Sequence, residues 1–128
     1  MTLERLRKIV IAAVAAHSLV LGAVMLIAPA WMLKMTGWQY EGPSFFPAQS
    51  GLFLMILGGG YAAALWSQPF AWFLVASKAA AIVFLVAEYV CGNGPLTLLP
   101  VAAFDGLMGL AVALVVVGSV RAQRGRDS

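Results

Sequence analysis

Four stretches of about 20 predominantly apolar residues, each the length needed to cross a hydrocarbon core about 30 Å thick, dominate the sequence. They run over about 9–28, 47–66, 70–90 and 97–120. Breakers separate them: Pro29 ends the first, Pro47 opens the second, and Ser67-Gln68-Pro69 makes a short connection. The cluster Cys91-Gly92-Asn93-Gly94-Pro95 precedes the fourth, which has Pro100 in its first turn. Proline is tolerated at helix starts but not in interiors, so each boundary is chemically marked. Nothing shows the short alternating strands of a membrane barrel. The expected architecture is all-α: one domain over residues 1–128, an integral membrane four-helix bundle.

Composition closes off the other classes. With 62% hydrophobic and 10% charged residues, a soluble globule could not be clothed, since ordinary domains carry about 25% charge. Disordered chains have the opposite bias. The single cysteine excludes an intrachain disulfide, a CxxC redox pair and a cysteine-built zinc site.

Charge placement gives an orientation. Arg5, Arg7 and Lys8 precede the first span and Arg121, Arg124 and Arg126 follow the last, while the connection from Pro29 to Phe46 holds only Lys34. Positively charged flanks stay cytoplasmic, and an even number of spans puts both termini there. The net charge of +3 therefore reflects topology, and nucleic acid is not an expected partner. A cleavable secretory signal would resemble the first span loosely, but signal cores run about 7–15 residues and this stretch is longer.

All four tryptophans, Trp31, Trp38, Trp66 and Trp72, fall at span edges, where amphipathic rings settle at the membrane interface. Trp31, Met35 and Trp38 share one helical face and Gly37 can cap, so a short interfacial helix is expected between spans one and two. Small residues are abundant within the spans. Gly51, Gly58, Gly59, Gly60, Gly106 and Gly109 are candidate packing positions, because helices in lipid associate through close backbone approach.

Five polar residues fall inside spans: His17, Gln49, Lys78, Glu88 and Asp105. Intramembrane charges are expensive and face the bundle interior. By helical rise, Lys78 and His17 lie at similar depth and Asp105 roughly 10 Å further out. Two clusters are therefore expected, His17 with Lys78 and Gln49 with Glu88 and Asp105, and a direct Lys78–Asp105 ion pair is expected to be strained. A lone histidine reads as a packing element, and no metal site is expected. Cys91 has no partner thiol or local base and reads as inert.

The string of short motifs resembles the DoxX-like group of four-helix bacterial membrane proteins. These are Ala28-Pro29-Ala30-Trp31, Gln49-Ser50-Gly51, Gly58-Gly59-Gly60-Tyr61, Pro69, Lys78 and Asp105-Gly106, within about residues 6–120. The resemblance implies a bacterial inner membrane and makes quinone-linked work thinkable, with no catalytic motif carried over. The leading expectation is a non-catalytic accessory or scaffold subunit, meeting the lipid bilayer and either itself or other membrane subunits. No cofactor is expected under it. The enzyme alternative is a quinone-linked redox subunit with Lys78, Asp105 and Glu88 at the ring; the third is a small transporter or lipid-binding bundle.

Overall fold

The computed structural model describes residues 1–127 and is helical, with no strand among them. Five helices follow in order: α1 (Leu3–Ile27), α2 (Pro29–Met35), α3 (Phe45–Ala63), α4 (Gln68–Val90) and α5 (Leu98–Asp127). Each expected span is thus a helix, with shifted ends. α1 begins early because the Thr2 hydroxyl accepts from the Arg5 backbone N–H at 3.3 Å, satisfying one of the free donors of the first turn. α5 continues through the basic tail, where Arg, Ala and Gln favour helix and no proline intervenes.

Two helix ends are built by glycine. Gly37 has φ +81° and Gly92 φ +77°, a left-handed conformation that side chains disfavour. After α2, Trp38 N–H donates to Leu33 C=O (2.9 Å) and Gly37 N–H to Lys34 C=O (3.2 Å). After α4, Asn93 donates to Glu88 (2.9 Å) and Gly92 to Tyr89 (3.0 Å). Both are Schellman caps, pairing last-turn carbonyls that would otherwise lack donors. A short helix, α2, stands where the interfacial helix was expected. It buries no residue and leaves Trp31 and Met35 exposed.

Three helices, α1, α4 and α5, are long and apolar enough to cross a membrane. α3, where the second span was expected, falls short of that measure. Its 19 residues include Pro47, Gln49, Ser50 and Tyr61, and Gly51 and Gly58 to Gly60 supply length without side chains.

Packing is strongest within two antiparallel pairs, α1 with α3 and α4 with α5, and α1 also lies along α5. Close approaches fix the register of the first pair. A Cβ on Gly51 would stand 2.5 Å from Leu26 N and 2.7 Å from Gly22 O. One on Gly22 would lie 2.8 Å from Met55 N, and one on Gly58 3.0 Å from Leu19 N. These crossings are backbone on backbone, the geometry that small residues permit. Farther along, the Arg7 guanidinium donates to the Ala64 carbonyl at 3.0 Å. A cation thus meets the carbonyl end of α3, where the helix dipole favours it.

The tightest core gathers at the termini-bearing half: Ile11, Val14, Ala15, Tyr61, Leu74 and Val112. At the other end the connections lock together. The Thr97 hydroxyl donates to the Thr36 carbonyl, and the Trp38 ring lies against Gly94.

Candidate functional site: a buried ion pair between two helices

Lys78 and Asp105 meet directly, Nζ to Oδ1, at 2.7 Å. Their side chains are 5% and 16% exposed. The pair replaces the two separate clusters expected from depth alone, and lysine's reach explains the difference. A Cβ on Gly109 would lie 3.0 Å from Lys78 Cβ, so the Lys78 backbone is level with Gly109. Asp105 is one turn away on the same face of α5, roughly 6 Å along the axis. The four-carbon lysine stem spans that turn, and the missing side chain at Gly109 lets it lie against α5.

The ammonium also stands 5.7 Å from the centroid of the Tyr61 ring, within cation–π range. Tyr61 is 2% exposed, and its hydroxyl is hydrogen-bonded to that of Ser77 at 2.8 Å. Ser77 Oγ also lies 2.9 Å from Phe73 O and 3.0 Å from Leu74 O, tying the network to the α4 backbone. α3 thus supplies the ring, α4 the cation and hydroxyl, and α5 the carboxylate.

His17 borders this centre from α1. Its ring meets Phe104, the neighbour of Asp105 in the chain, edge-on, with centroids 5.2 Å apart. Its buried Nδ1 has no hydrogen-bond partner among the described residues, and neither has the Ser18 hydroxyl. One side of His17 faces an apolar surface groove of about 420 Å³ with Ala16, Val20, Leu21 and Trp31.

Gln49 and Glu88 do not join the pair. Both are half-buried, and their side chains make no hydrogen bond or ion pair among the described residues. Of the candidate packing glycines, Gly51, Gly58 and Gly109 are crossing points, and Gly106 and Gly60 are in ordinary contact with Ile82 and Phe73. Gly59 has nothing within 4 Å of where its Cβ would stand. Trp31, Trp66 and Trp72 are exposed, whereas Trp38 is half-buried under the connection at Gly94.

Two members of the network were not singled out as site residues from the sequence, Tyr61 and Ser77. The available signal was that a buried tyrosine hydroxyl needs a partner. Arg7, read only as a topological charge, also works as the cap of α3.

Chemically the arrangement is a neutral, hydrogen-bonded ion pair that is largely buried. The Ser77 and Tyr61 hydroxyls are its polar neighbours, and no group of three or more His, Cys, Asp or Glu gathers among the described residues. No protein-family model, curated protein or solved structure matches the chain, so its own geometry carries the reading.

Proposed function

We propose that the chain is a four-span bundle of a bacterial inner membrane, both termini cytoplasmic, serving as a non-catalytic accessory or scaffold subunit. Register supports the fourth crossing. α3 lies beside α1 from Gly51, opposite Leu26, through Gly58, opposite Leu19, to Ala64, which the Arg7 side chain reaches from further along α1; Gly51 to Ala64 is roughly 20 Å of helix axis. We read α3 as crossing alongside α1, although only α1, α4 and α5 are apolar enough to cross on their own. Its insertion is favoured by the partner it lies against, in keeping with the DoxX-like reading of four spans.

One observation supports the subunit role: the Lys78 and Asp105 charges cancel each other inside the bundle while apolar side chains face outward. Phe53, Ile56, Val83, Phe84, Leu107 and Leu114 are all more than half exposed. On that surface Gly59 makes a notch in α3 where a neighbouring helix backbone can approach.

Native mass spectrometry of the protein released from its own membrane in nanodiscs tests this. The expected result is a fixed stoichiometry with itself or with other subunits, lost in Gly59→Leu. A monomer carrying one quinone per chain overturns it and favours the redox alternative. That alternative places Lys78, Asp105 and Glu88 at the ring, of which Lys78 and Asp105 stand together.

A further inference from the structure

We propose that the start of α1 and the end of α3 form a binding site for one anionic phospholipid. A groove of about 360 Å³ is lined there by Arg5, Lys8, Ile9, Ala12, Leu65 and Trp66. Its composition is graded along the helix axis. Arg5, Lys8, Ile9 and Ala12 follow i, i+3, i+4, i+7, one face of α1 over roughly 10 Å. Cations stand at the outer end and apolar carbon below, the order in which a phospholipid presents its phosphate and acyl chain. Trp66, 81% exposed, stands at the rim, where an indole suits the headgroup boundary. Ala12 is small and exposed, leaving a trough for the chain.

Charge complementarity selects the occupant. Arg7, which points inward, is engaged with Ala64 O and with Glu4 at 3.2 Å. Lys8 lies 3.9 Å from the same Glu4 oxygen, and Arg5 makes no ion pair among the described residues. Three cations against one carboxylate leave this end of α1 positive, with Arg5 and Lys8 turned outward. A zwitterionic lipid carries its own ammonium and cancels less of that charge than a phosphatidylglycerol does. The Arg7–Ala64 contact holds both walls in place, so the groove is preformed. The proposal rests on the membrane reading above and is independent of the subunit role.

The test is native mass spectrometry of the full chain released from nanodiscs of equal phosphatidylglycerol and phosphatidylcholine. The expected result is one retained phosphatidylglycerol in preference to phosphatidylcholine. Each cation removed should lower that preference about fivefold, so Arg5→Gln/Lys8→Gln should lose it. Ala12→Leu, which fills the trough without changing charge, should also weaken retention, whereas Arg124→Gln/Arg126→Gln at the same end should not. Unchanged helical circular dichroism establishes that each variant is folded. Equal retention of the two lipids, or the same loss in the tail variant, overturns the lipid site alone. So does a dimer split by Arg5→Gln/Lys8→Gln, because a second copy would then occupy the groove. A chain that stays dispersed in buffer without lipid or detergent overturns the membrane reading and this site together.

Discussion

At the residue scale the Lys78–Asp105 pair sets the terms. Two largely buried charges are tolerable together and costly apart, because removing one leaves the other unpaired. Lys78→Met or Asp105→Leu alone is expected to destabilise the bundle by about 3 to 5 kcal/mol. The double variant should return to within about 1 kcal/mol of the parent, since apolar replacement of a buried pair is often close to neutral. Unfolding curves in mixed detergent micelles measure all three. Additive losses in the double variant would mean that the two side chains are not coupled. Both charges were legible in the sequence as buried and costly; their pairing was not. Depth counted in Cα positions leaves out the lysine stem, and only the packing of Gly109 against Lys78 shows that the stem runs one turn along α5. Tyr61 and Ser77 stayed hidden because helical periodicity gives a residue's face, and the hydroxyl contact joins two different helices.

At the element scale, glycines that look alike in the sequence divide by what they touch. Gly51→Ala would put a methyl 2.5 Å from Leu26 N and 2.7 Å from Gly22 O. Backbone cannot swing aside as a side chain can, so α1 and α3 must part. The expected cost is about 1 to 3 kcal/mol, read as a lower unfolding midpoint in detergent. Gly59→Ala meets open space and removes the helix penalty of glycine, so it should be neutral or stabilising by up to about 1 kcal/mol. A reversed order for the two variants would refute the α1–α3 crossing. Helix identities were readable from apolar runs and breakers, and Gly37 and Gly92 sit where a helix stops. The exact ends were less legible. Thr2 and the basic tail extend α1 and α5 through local hydrogen bonding and helix propensity, which an apolarity count does not register.

At the scale of the whole molecule, the decisive question is whether α3 goes where α1 goes. Its own composition argues weakly, since glycine and polar residues dilute it. The paired register argues strongly, because separating α3 from α1 would open the backbone contacts at Gly22 and Gly51 and release Ala64 from Arg7. Cys91, exposed in the turn after α4 and the chain's one cysteine, makes this measurable without an added label. In spheroplasts, a membrane-impermeant maleimide should modify Cys91. In a Cys91→Ser background, Gln68→Cys at the α3–α4 turn should react only after the membrane is opened. If α3 stayed on one side, parity would invert both results: Gln68→Cys would react at once and Cys91 would be sheltered. Such an inversion would also carry the basic tail of α5 to the outer face, against the positive-inside rule. Charge distribution and helix register therefore make the same prediction from unrelated physics, one from the cost of moving cations across a bilayer and the other from backbone contact between two helices.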